Sequence, residues 1–326
     1  MAAQNKVTLG LSSHRPEMIP LVSELMSKHD AIFLEEPSAT GFDKMLSGNL
    51  AVREYLLPLD VEFAEFSQQM CDLLKTLKTE GKKIFQVEPF LEVLSDIHDF
   101  FADGHGPGEI EKDSIQYPVY LAEKRAAAAL LTFYQAAAEG DFNETLRAVR
   151  RFARADAARF RLRDSLRSQE LVRLVTEYPS AYIEAGEMHY PLFHLLLKGL
   201  PKTTRVKPIF TYQAALGESK GKGHIYGPGD QLTLLYIYHP AIDQPMRETI
   251  LAARSLIHSK LVTKEELTHD LDLLPHLRNE LHCNRLVSRL SLCDCRRLFS
   301  LIRRADTQTA NRLVVDYLDD KDRTSH

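Results

Sequence analysis

Residues 180–197, SAYIEAGEMHYPLFHLLL, contain a change of hydrophobic period that decides the fold. The run 181–185 is short and apolar, which predicts a buried strand. Gly186-Glu187-Met188-His189 predicts a tight turn, and the apolar residues that follow recur at helical spacing. A strand that feeds a helix through such a turn leaves polar side chains at the carboxyl edge of a sheet, where open α/β sheets place ligands. Glu187 and His189 are therefore site candidates. A helix-capping glutamate and an ordinary first-turn histidine would also give these letters.

The neighbouring segments fit the same sheet. Residues 6–11 (KVTLGL), 31–35 (AIFLE) and 83–87 (KIFQV) read as short buried strands, the latter two stopped by Glu36-Pro37 and Glu88-Pro89. Met18, Leu21, Val22, Leu25 and Met26 lie at helical spacing between the first two strands. That is a β–α–β unit, so its strands should be parallel. Residues 205–210 (RVKPIF) predict a further strand, placed at an edge by Pro208. Residues 61–79 and 90–102 predict helices, as do the Ala-rich 114–140 and the Arg-rich 142–178. In the last of these the arginines surround the helix, so some must face inward. Residues 217–229 (GESKGKGHIYGPG) predict a loop without the P-loop pattern. Residues 231–238 (QLTLLYIY) read as strand-like, with a helix as the alternative. Helices are expected at 246–258, 264–274, 277–305 with a break near Cys293, and 310–318.

The expected fold is thus α/β: a mixed, largely parallel central sheet with flanking helices. An α/β domain would span 1–243, with a helical insertion at about 103–178, and a helical C-terminal region, 244–326, would pack on it.

Composition narrows the function classes. The 326 residues are 44% hydrophobic, enough for a sizeable core, and the formal charge is −4, which argues against nucleic-acid binding. No apolar run approaches the ~20 residues of a membrane span, and no signal-peptide pattern opens the chain. The four cysteines, Cys71, Cys283, Cys293 and Cys295, read as free thiols of a cytoplasmic protein. Homo-oligomerisation is left open.

Three constellations could carry chemistry. His14, Glu35, Glu88, Glu187 and His189 each lie at or just past a predicted strand end. Histidines and carboxylates on one rim suit a divalent metal (Mn, Co, Zn or Fe) or an acid–base pair, and unrelated loop polars would look the same. Arg163-Asp164, placed just before a helix, could hold an anionic group or stabilise an oxyanion. His276, His282, Cys283, Cys293 and Cys295 match zinc spacing poorly and read better as buried helix residues. The patterns GxSxG, HExxH and GxGxxG are absent.

The ordered motifs resemble the TraB/PrgY, Tiki, ChaN and erythromycin-esterase-like superfamily. The resemblance rests on LGLSSH ending at His14, on Asp30-Ala-Ile-Phe-Leu-Glu35, on Arg163-Asp164, and on Gly186-Glu187-Met188-His189. It covers about residues 6–200. The first motif is one residue longer than the family's Gly-x-x-His, with Leu11 where its glycine would fall. The resemblance implies an α/β fold with two His-bearing strands and a set of shared residues, His14, Glu35, Arg163 and His189. The leading expectation is a metal-dependent hydrolase of a peptide or small-molecule ester. In it His14, His189 and Glu35 serve as metal ligands or acid–base groups, Arg163 orients the substrate, and Glu187 and Glu88 are further candidates. The alternatives are a ChaN-like haem or small-ligand binder without turnover and a non-catalytic interaction or maturation protein.

Overall fold

The computed structural model describes residues 5–59, 61–217, 226–267 and 273–324. The chain divides into two compact units, each built from two stretches: residues 1–121 with 160–219, and residues 122–159 with 220–326. The helical stretch expected as one insertion at about 103–178 is therefore shared between them, and the second unit also contains the C-terminal helices.

The first unit holds the sheet. Its strands are β1 (Lys6–Ser12), β2 (Ala31–Leu34), β3 (Lys83–Gln86), β4 (Ser180–Gly186) and β5 (Arg205–Phe210). They run in the order β3-β2-β4-β1-β5, and every pairing is parallel. β5 is an edge strand, as Pro208 requires. The first β–α–β unit is parallel, but β1 and β2 are not neighbours, because β4 lies between them and pairs with both.

Alternation decides what each strand buries. Val7, Leu9 and Leu11 of β1 and Ala181, Ile183 and Ala185 of β4 share a core with Phe33, Leu171, Val175, Leu192 and Leu196. The opposite face of β4 carries Tyr182 and Glu184. Gly10 answers to that face: a Cβ there would stand 2.0 Å from the Tyr182 hydroxyl. The absence of a side chain at Gly10 lets the Tyr182 ring lie across the strand.

The Phe142–Leu174 helix is continuous. Arg163 and Asp164 therefore lie inside a long helix and not just before one. The second unit is helical. Pro245–Leu261 packs on Pro228–Tyr238, Pro275–Ser288, Leu292–Ile302 and Thr307–Thr324, and buries Leu251, Ala252, Leu256 and Ile257. Residues 231–238 belong to the Pro228–Tyr238 helix and form no strand. Leu232, Thr233, Leu235, Tyr236 and Ile237 are all buried there, and a helix covered on several sides loses the period that identifies it. Of the helix expected at 264–274, residues 264–267 are not helical and 268–272 lie outside the described residues, as do 218–225 of the Gly- and Lys-rich loop. The break near Cys293 is real: Ser291 caps the Leu292–Ile302 helix by accepting from the Asp294 backbone N–H.

Candidate active site at the carboxyl rim of the sheet

Parallel strands deliver their carboxyl ends to one rim. Glu35 follows β2, Glu88 follows β3, and His14 follows β1. Gly186 ends β4, and a short 3₁₀ turn, Glu187–His189, opens the helix beyond it. The Phe142–Leu174 helix adds Arg163, Asp164 and Arg167. Residues expected at strand ends therefore stand at strand ends. Which of them meet depends on β4 lying between β2 and β1.

His189 is the centre of a buried ion cluster. Its Nε2 lies 2.8 Å from Glu35 Oε1, and its Nδ1 bonds Asp164 Oδ1. Burial favours the neutral ring, but the two carboxylates outweigh it and raise the imidazole pKa to about 9. The ring is therefore a cation at neutral pH, and it donates from both nitrogens. Phe160 packs against it, with ring centroids 5.0 Å apart. Glu35 also receives Arg163 Nη2 at 2.7 Å and the Gly186 backbone N–H. Burial opposes its ionisation, yet His189, Arg163 and Arg167 together hold its carboxyl well below the usual range.

Arg167 is fully buried and fastens the rim. Its Nε donates to Val87 O at 2.9 Å and its Nη2 to Glu184 O at 2.7 Å, which ties the ends of β3 and β4 together across β2. Glu88 has no exposure, and it lies 3.2 Å from Arg163 Nε and 3.7 Å from Arg167 Nε. Neither of its oxygens makes a hydrogen bond. Burial pushes its pKa up, against the pull of the two arginines.

His14 belongs to a second, more open group. Its Nε2 is 3.8 Å from Glu184 Oε1, its side chain is 40% exposed, and its ring stacks on Phe66 with centroids 5.2 Å apart. The other Glu184 oxygen accepts from the Glu35 backbone N–H at 3.2 Å. Glu184 thus links the open histidine to the buried cluster. Glu187 is half-buried on the 3₁₀ turn.

This arrangement does not fit the metal set His14, Glu35 and His189. Both nitrogens of His189 are already engaged by carboxylates, Glu35 on one side and Asp164 on the other. His14 approaches Glu184, whereas Glu35 pairs with His189 and Arg163. Among the described residues no group of three or more His, Cys, Asp or Glu side chains could hold a metal ion. In the second unit His276 is buried, and its Nε2 accepts from the Leu267 backbone N–H at 2.8 Å. Cys283 and Cys295 are buried free thiols, each pushed up to about 12 by burial.

Sequence reasoning did not single out Arg167 or Glu184. Both left a signal. Arg167 lies four residues beyond Arg163, on the same helix face. Glu184 is a charged residue inside an otherwise apolar strand, which a buried strand tolerates only for a partner.

An uncharacterized protein of Archaeoglobus fulgidus is 29% identical over 289 residues, which is 88% of this chain and 96% of that one. No family model matches the chain, and no solved structure matches it.

Proposed function

We propose that the protein is a hydrolase of ester or peptide bonds, working by acid–base chemistry at the open edge of this rim. His14 is the base. It takes a proton from water, the water oxygen attacks the carbonyl carbon, and the resulting imidazolium returns the proton to the leaving group. Glu184 orients the ring and steadies its charge. Arg163 is 21% exposed and anchored by Glu35, and its role in this reading is to offer the developing oxyanion a preorganised charge. The buried His189, Asp164 and Glu35 are positioning residues, since they hold Arg163 without reaching solvent.

The observation that carries this reading is the contrast in exposure along one connected network. A half-exposed histidine is backed through Glu184 by a buried cluster of paired charges, several of whose polar atoms make no hydrogen bond. Catalytic sites concentrate such arrangements.

The test is hydrolysis of a panel of p-nitrophenyl esters and fluorogenic peptides by the full chain. Turnover is expected without added metal, and His14→Ala should lower kcat by about 10²–10⁴ while leaving the circular dichroism unchanged. An inert wild type, turnover that appears only with added divalent ions, or full turnover in His14→Ala would each overturn the reading. A Soret band on haem addition that is lost in His14→Ala, with no turnover, would favour a ligand-holding protein instead.

A further inference from the structure

A cavity of about 360 Å³ lies beside Phe66, the residue on which His14 stacks. Leu56, Phe66, Met70 and Leu91 form an apolar wall. Its polar part has one carboxylate, Glu36, with Gln86, Tyr55, Ser67 and the Cys71 thiol. That is the composition of a small-molecule site: mostly apolar, with a few convergent polar groups.

The orientation of Gln86 is set by its neighbours. Its Oε1 accepts from the Ala39 backbone N–H at 3.0 Å, so its amide nitrogen must face the cavity side. There Nε2 donates to Glu36 Oε2 at 3.0 Å and to the Tyr55 hydroxyl at 3.3 Å. One amide thus holds both the carboxylate and the phenol in place, and both act as acceptors toward it.

The charges do not balance. Among the described residues lining the cavity there is no Lys, Arg or His. Arg163 and Arg167 pair with Glu35 and Glu88. Burial, and after it the nearby Glu184 carboxylate, disfavours the charge on Glu36, while Gln86 and the half-exposed His14 favour it more weakly. A cation placed in the cavity would relieve this, and the Tyr55 and Phe66 rings are suited to receive one.

We propose that this cavity binds a primary ammonium group carried on an apolar alkyl or arylalkyl body, with Glu36 as the counter-ion. The ammonium donates to Glu36 and to the Tyr55 oxygen, and the apolar body lies against Leu56, Phe66, Met70 and Leu91. The assignment does not depend on turnover at the rim. If the rim hydrolyses peptides, the cavity takes their amino end.

Calorimetric titration of the full chain with n-hexylammonium and phenethylammonium, against hexanol and hexanoate, tests it. The ammonium probes should bind at least about tenfold more tightly than hexanol, as expected for a charge-assisted hydrogen bond, and hexanoate should not bind. Glu36→Gln should erase the preference for ammonium, and Met70→Trp should weaken both ammonium and alcohol by filling the cavity. Equal affinity for hexanol and hexylammonium in the wild type, or no binding of either, would overturn the proposal without recourse to any variant. So would an undiminished ammonium preference in Glu36→Gln. Ammonium binding without hydrolysis would uphold the cavity and count against the rim hydrolase alone.

Discussion

The Phe142–Leu174 helix uses one device twice. Arg150 and Arg154, four residues apart, face a buried carboxylate in the second unit, and Arg163 and Arg167, also four apart, do so in the first. The first pair meets Glu248. Its Oε2 takes Arg150 at 2.8 Å, Arg154 at 2.7 Å and the Tyr236 hydroxyl at 2.6 Å, and its Oε1 takes the Gln244 backbone N–H at 3.0 Å. Apart from Arg150 Nε, that network is satisfied. The second pair meets Glu35 and Glu88 and is not. Both oxygens of Glu88, Arg163 Nε, Arg167 Nη1 and Asp164 Oδ2 are buried without a hydrogen bond. A satisfied buried network needs only a structural explanation, whereas buried polar atoms held by ion pairs without hydrogen-bond geometry call for a further one.

The strongest way to break the comparison is to remove the buried arginine of the unsatisfied pair. Arg167→Met removes the donors of two backbone carbonyls and a counter-charge of Glu88, so it should cost about 3–5 kcal/mol. Urea unfolding measures this. A loss below about 1 kcal/mol would show that the rim does not depend on the clamp.

Alkaline pH should come next. The pKa of His189 is raised to about 9, so its contribution is complete below the ordinary value of about 6.5 and is lost as pH climbs through 9. A displacement of that size corresponds to about 3 kcal/mol. The denaturation midpoint should fall between about pH 6 and about pH 9.5, a window that flanks those values, and His189→Gln should lack that fall. A parallel decline in both proteins would assign it elsewhere.

Glu248→Ala should cost less, about 2–3 kcal/mol. The side chains of Arg150 and Arg154 are 27% and 49% exposed and can regain water, so the main loss is the buried hydrogen bond that the Tyr236 hydroxyl donates to Glu248. This network should weaken at the opposite end of the pH scale. Burial opposes ionisation of Glu248, but Tyr236 and Arg150 hold its pKa at about 2. Its contribution is present above the ordinary carboxylate value and is lost as pH falls toward 2. Equal loss for Glu248→Ala and Arg167→Met would erase the distinction drawn between the two pairs.

Much of this molecule can be read in its letters. β1 to β5 were legible because short apolar runs ending in Glu-Pro, Gly-x-x-His or a prolyl strand are local signals. The strand-end positions of His14, Glu35, Glu88 and His189 follow from the same punctuation. Residues 231–238 misled because burial on several sides of the Pro228–Tyr238 helix removes its polar stripe. Arg163-Asp164 was marked as a site candidate, but its place inside a helix was not legible because nothing local marks where the long Arg-rich helix begins or ends.

The sequence by itself determined the five strands of the sheet, the parallel sense of the first β–α–β unit and the residue types offered to the rim, since hydrophobic period and turn chemistry act over a few residues. Only the tertiary structure decided who meets whom. With β4 between β2 and β1, Glu35 bonds His189 and Glu184 is left to face His14. Glu184 and the Glu35 backbone N–H are 149 residues apart in the chain yet 3.2 Å apart in space. The same encounter set His189 between two carboxylates that raise its pKa to about 9, because a pKa is set by the groups that folding brings within a few ångströms.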